Sequence, residues 1–147
     1  MEKNQVLDNF VSGADLSGKD YYAIGFDNDL VDTDLEPIAG IIQDGGQVSG
    51  DTCVSVVAGE TYAYVAALAG VNVNVGDVLG ASASLTIDGT TATTGLLKQW
   101  GTPDNSSSTN LEPTTIATTR KPAAIALEAI TADGTNNIKQ LIRVRLV

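Results

Sequence analysis

The chain has 147 residues, 43% of them apolar, enough for one domain with a buried core. Its formal net charge of −10 works against a phosphate backbone as partner, because such partners are held by Lys and Arg. Histidine is absent, which removes the usual base of nucleophilic catalysis and the ligand most zinc sites need.

No Gly-rich phosphate loop of the GxxxxGK[ST] or GxGxxG type occurs. The composition therefore points to a structural or binding protein that is not an enzyme and needs no cofactor. No apolar run approaches the roughly 18 residues of a membrane-spanning helix, and the opening MEKNQVLDNF has no apolar signal region. Charge is uneven along the chain. Residues 1–60 hold 12 acids and 2 lysines, whereas residues 61–147 hold 6 acids and 6 bases. Aspartate outnumbers glutamate and lysines are few. That suits a protein adapted to high salt, where screening shortens repulsion to about 3 Å at 1 M.

In chain order, residues 1–15 show no apolar period and read as a flexible N-terminal arm. Short β-type runs follow at Tyr21–Phe26, Pro37–Gln43, Asp51–Val57, Thr61–Leu68, Val71–Val75, Ser84–Ile87, Thr91–Leu97, Ala123–Ala129 and Ile138–Leu146. Turn signals separate them: Asp27-Asn28-Asp29, Asp44-Gly45-Gly46, Ala58-Gly59-Glu60, Gly76-Asp77, Asp88-Gly89 and Asp133-Gly134. Many short strands at close spacing predict an all-β fold, a small barrel or sandwich over residues 16–147. The alanines of Pro122–Ala132 would also suit a helix, but Ala124, Ala126 and Glu128 alternate with Ile125, Leu127 and Ala129, which favours a strand. In the last run, Ile138, Gln140, Ile142, Val144 and Leu146 share one, largely apolar parity, and Lys139, Leu141, Arg143, Arg145 and Val147 share the other, which carries the cations. That is the pattern of a strand buried on one face.

Several features carry candidate chemistry. Alternating acids at Asp27, Asp29, Asp32 and Asp34 supply the oxygens calcium prefers. An EF-hand loop starting at Asp27 would need glycine where Asp32 stands and glutamate where Ile38 stands, so a solvated hairpin tip is the favoured reading. Cys53, the lone cysteine, lies in an apolar run and reads as buried filler. The Val73–Leu79 stretch has the V-x-x-G-D-x-L form of carrier-domain turns, but no lysine sits at a matching hairpin tip. Residues 98–122, rich in Ser, Thr, Asn and Pro, read as one long exposed loop, with Trp100 at its start.

A resemblance covers roughly residues 14–147. Ala14-Asp15-Leu16-Ser17-Gly18-Lys19-Asp20-Tyr21-Tyr22-Ala23-Ile24 is similar to the DLSGKQYYAVK opening of head decoration (cement) proteins of tailed viruses. The segments Pro37–Gln43, Gly50–Gly59, Ala69–Leu79 and Pro122–Ala129 follow in the family's order, and residues 98–122 depart from it. The resemblance implies a compact β domain that assembles, often as a homotrimer, on the outer capsid surface of the virion. It would be made in the host cytoplasm, bind the major capsid protein, and touch neither nucleic acid nor membrane. The acidity would suit a virus of a halophilic host. An arm of this kind would insert Leu7, Phe10, Val11 and Leu16 into a neighbour; Trp100 is a further candidate contact, although a lone Trp at the start of a loop more often closes one end of a core. The alternatives are another virion component, such as a turret, spike-base or tail protein, and a carbohydrate- or cation-binding β module. The sparse aromatic supply counts against glycan binding.

Overall fold

The computed structural model describes residues 5–46, 48–99 and 122–147, and among these the regular structure is entirely β. In chain order the strands are β1 (Val6–Val11), β2 (Ala23–Gly25), β3 (Ile38–Asp44), β4 (Thr52–Ala67), β5 (Val78–Ala81), β6 (Leu85–Ile87), β7 (Thr91–Thr93), β8 (Leu97–Gln99), β9 (Ala124–Ala126) and β10 (Ile138–Leu146).

Five of them close on themselves. The order β10-β9-β5-β8-β4 returns to β10 through the β10–β4 pairing, so the expected all-β class takes the form of a small barrel. β4 and β8 run parallel, meeting at Val65 and Leu97, while the other four seams are antiparallel. Barrel diameter grows with strand number, and even eight strands leave only enough room for side chains. A five-stranded bore is narrower still. The inward positions reflect this: Ala63, Ala67, Ala81, Ala124 and Ala126 share one buried cluster with Val65, Leu79, Leu97, Ile142 and Val144. The small side chains of this core are thus a consequence of the bore. In β10 the expected alternation is present, with Ile142 and Val144 buried and Lys139, Arg143 and Arg145 exposed.

β4 organises the remainder. Its first half pairs with β1 on one side and β3 on the other, and β2 extends the sheet beyond β3. Its second half belongs to the barrel. The turn expected at Ala58-Gly59-Glu60 does not form, and one 16-residue strand runs through it. Gly59 (φ 93°) stands where the partner changes from β1, at the Val6–Ala58 pair, to β10, at the Leu146–Gly59 pair. Glycine in a strand interior marks a bend or bulge as readily as a turn, and here it absorbs the change of partner.

Other expectations shift in bounds. The Val71–Val75 run contributes only a bridge from Val73 to Ile130, and the strand lies further on, at β5. The Thr91–Leu97 run splits into β7 and β8 around Gly95 (φ 81°). A Cβ at Gly95 would stand 3.0 Å from that of Tyr22. The β6–β7 hairpin turns on Asp88 and Gly89, both at positive φ, as its Asp-Gly signal predicts. The expected arm is corrected as well. Val6–Val11 is a strand, paired antiparallel with Ala58–Thr52 of β4. It escapes a period reading because five of its six residues are exposed, on both faces of the strand. Gln5 Nε2 donates to the Glu60 carbonyl, and the buried Ser12 donates through Oγ to the Val48 carbonyl, so both ends of β1 are fastened. The expected loop 98–122 also loses its first residues, because Lys98 and Gln99 belong to β8; residues 100–121 lie outside the described residues.

Because the bore is already filled, added volume should not be absorbed. Ala124→Leu is expected to destabilise the protein by about 1–3 kcal/mol, measured as a lowered midpoint in urea unfolding. The same change at the exposed Ala92 on β7 should leave the midpoint within about 0.5 kcal/mol of wild type.

Candidate interaction surface

The sheet that continues β4 beyond the barrel ends in an open edge. β1 pairs with β4 alone, so among the described residues its far side has no strand beside it. An unpaired edge presents alternate N–H and C=O groups to any extended chain. Natural edges are usually blunted by lysine, proline or bulges, but β1 carries neither Lys nor Pro between Leu7 and Val11, and its one irregularity lies at Val6. Asp8 is its only charge.

The side chains of β1 divide by parity. Phe10 lies opposite Cys53 and packs on the buried Leu16, Ile24 and Ile42 cluster, which anchors the strand. Leu7 and Val11 point to the other face, 56% and 57% exposed, and Val6 is also exposed. Of the apolar residues expected to insert into a neighbour, Leu7 and Val11 are therefore free to do so. Phe10 is partly committed to the core. Leu16 is wholly buried, so it serves the protein's own interior and is withdrawn from the docking set. Just before it, side-chain and backbone hydrogen bonds from Ser17 hold the Asp15 carboxyl below the ordinary aspartate range. Trp100 lies outside the described residues.

The acidic stretch is built differently from a cation cage. Asp27 Oδ1 accepts the Asp29 N–H, Asp29 Oδ1 the Leu30 N–H, and Asp32 Oδ1 the Thr33 hydroxyl. Glu36 Oε1 takes the N–H groups of Asp32 and Thr33. Asp34 turns the other way, accepting the Ala83 N–H at 2.7 Å and standing 2.8 Å from Lys98 Nζ. The four aspartates do not converge, and among the described residues no three acidic, Cys or His groups form a metal-holding cluster. Each carboxylate satisfies nearby backbone or hydroxyl groups, the role short acids take in turns.

Lys98 is the group that sequence reading misplaced. Its side chain is 2% exposed and its Nζ makes no hydrogen bond of acceptable angle, so the ion pair with the one-third-exposed Asp34 is its compensation. Attraction at 2.8 Å needs no favourable angle, and a buried ammonium without an opposite charge would be costly. Its signal in the sequence was a lone cation directly after Leu96-Leu97, continuous with an apolar run. Together with the Leu35 N–H bonded to the Ala81 carbonyl, the pair sews the acidic loop to β5 and β8.

Comparison with protein-family models gives no match, and no curated protein and no solved structure matches the chain.

The buried pair predicts unequal effects of its two halves. Asp34→Asn leaves a buried ammonium uncompensated and should cost about 1–3 kcal/mol in denaturant unfolding. Lys98→Met removes the charge along with the need for a partner and should cost less; Asp34→Asn added to Lys98→Met should then have little further effect.

Proposed function

We propose that this chain is a capsid decoration protein, docking on the outer surface of a tailed-virus head and stabilising it without catalysing a reaction. The observation that carries this reading is the free β1 edge, with Leu7 and Val11 exposed along it. A strand edge offers main-chain hydrogen bonds for affinity and side-chain positions for specificity, so an extended segment of a major capsid protein is a fitting partner. The order of sequence segments shared with decoration proteins supports the same reading.

The physical demands of the task agree with the rest of the molecule. A cement protein adds contact area across joints between capsomers and transforms no substrate. Repetition over a symmetric shell lets a modest contact hold through many copies. A narrow barrel with a filled interior gives each copy a stiff body on which the edge is presented. Surplus acid discourages one β1 edge from pairing with another, and it suits a host at high salt. The site of action is then the virion exterior, after synthesis in the host cytoplasm.

Mixing purified protein with undecorated, expanded heads should show saturable binding at native salt, read by sedimentation with the heads. Replacing Leu7 and Val11 together by Asp should weaken that binding by about tenfold or more, a change of roughly 1.4 kcal/mol. Absence of saturable binding by the wild type would sink the reading. Density confined to fivefold vertices or to the tail would reassign it to another virion component.

A further inference from the structure

A second surface, on the opposite half of β4, is distinct from the β1 edge. The outer wall of the barrel where β4 meets β10 sets Leu141 opposite Tyr64, Arg143 opposite Tyr62 and Arg145 opposite Glu60. Tyr21, held at the positive φ of 71°, brings its ring edge-on to Tyr62 with centroids 6.4 Å apart. Tyr22 stacks on Tyr64 at 4.6 Å, and Lys139 Nζ lies 5.0 and 4.9 Å from those two rings and donates to the Tyr22 hydroxyl. All four tyrosines of the chain meet here. Of the described cations only Lys98 lies elsewhere, since Lys19 also reaches the Tyr22 ring.

The outer part of this wall is open. Tyr62 is 42% and Leu141 36% exposed. The Arg143 guanidinium stands 3.9 Å from Glu128, whose other oxygen accepts the Arg143 backbone N–H, while Arg145 is paired with Glu60 at 2.6 Å. Tyrosine and arginine around an apolar centre are the residues that dominate binding energy at protein interfaces. On a chain with a net charge of −10, an aromatic, cationic wall calls for an occupant that is apolar and acidic.

The chain itself carries such a group. Phe26 is the most exposed of its described large apolar side chains, at 76%, and Asp27 and Asp29 flank it. The turn that presents it is closed, not frayed. The Gly25 N–H bonds to the Asp29 carbonyl, the Asn28 N–H to the Gly25 carbonyl, and the Gly13 N–H to the Asn28 carbonyl. An ordered phenylalanine beside Asp27 and Asp29 complements an ordered tyrosine wall on which Lys19, Lys139, Arg143 and Arg145 outnumber the paired Glu60 and Glu128. Two walls or two tips facing each other would oppose like charges.

We propose that a second copy of this chain seats its Phe26 tip on the Tyr62–Arg143 wall, so that tip-to-wall contacts build the homo-oligomer. Such a contact is heterologous and gives a closed ring when its rotation closes. It uses none of β1, so it stands or falls separately from the capsid reading.

Light scattering after size exclusion tests it. Wild type should assemble at low salt, and Phe26→Ser (wall intact) and Arg143→Glu (tip intact) should each weaken assembly at least tenfold while keeping the wild-type far-ultraviolet dichroism. Tyr62→Ser serves as the wall variant if Arg143→Glu does not fold. An equimolar mixture of a tip variant and a wall variant should form heterodimers, since one intact contact remains. A wild type that is monomeric at both low and molar salt overturns the contact, as do variants that assemble like wild type or a mixture that stays monomeric. Wild type that binds heads while monomeric overturns this contact and leaves the capsid reading in place.

Discussion

Closure of a barrel with only five strands is the constraint from which most of this structure follows. The bore is lined by alanine and valine together with Leu79, Leu97 and Ile142. So small an interior limits the apolar area available to stabilise the fold, since burial contributes roughly 25 cal/mol per Å². The chain adds satellite clusters outside the barrel to compensate. Leu96, Leu85, Ile87 and Tyr22 pack beneath the β6–β7 hairpin, and Leu16, Ile24 and Ile42 pack beneath β1 and β2. Each satellite needs a covering element, and those elements bring the exposed edge and the tyrosine wall to the surface.

β4 links the two halves because it belongs to both. Passing from one set of partners to the other at Gly59, it carries an extension of three further strands (β1, β3 and β2) at one end and a closed barrel at the other. The connecting loops are fastened by short acidic side chains bonded to backbone N–H groups, at Asp15, Asp27, Asp29, Asp51, Asp77 and Asp133. Much of the acid surplus therefore has a local structural use in addition to any effect on solubility. Strain is accepted where an element must be steered: Leu35 is fully buried at a φ of 60°, and Tyr21 turns its ring toward Tyr62 from a φ of 71°.

The fold class was legible because period-2 alternation and Asp-Gly turns are local signals, and β10 and the β6–β7 hairpin follow them closely. What escaped was non-local. Gly59 looks like a turn until the partners on either side of it are known. Val6–Val11 lacks alternation because Phe10 is the one of its six side chains that packs on a buried cluster. Lys98 reads as loop by composition, and only the approach of Asp34 from 64 positions away makes its burial tolerable. The interaction surfaces were partly legible. Leu7 and Val11 could be picked out as apolar residues in a polar stretch. The meeting of Tyr21, Tyr22, Tyr62 and Tyr64 depends on strand register and could not be seen beforehand.

Cys53 carries a consequence of its own. The thiol is fully buried, and its residue lies directly across the ladder from Phe10, beside the strand that forms the open edge. As the chain's sole sulfhydryl, it is a native reporter of whether β1 is seated. Alkylating reagents attack the thiolate and need access, so the rate of Cys53 modification becomes a clock for detachment of β1 from β4. A partner strand clamped along the far side of β1 would slow that clock, and no artificial label is needed to read it.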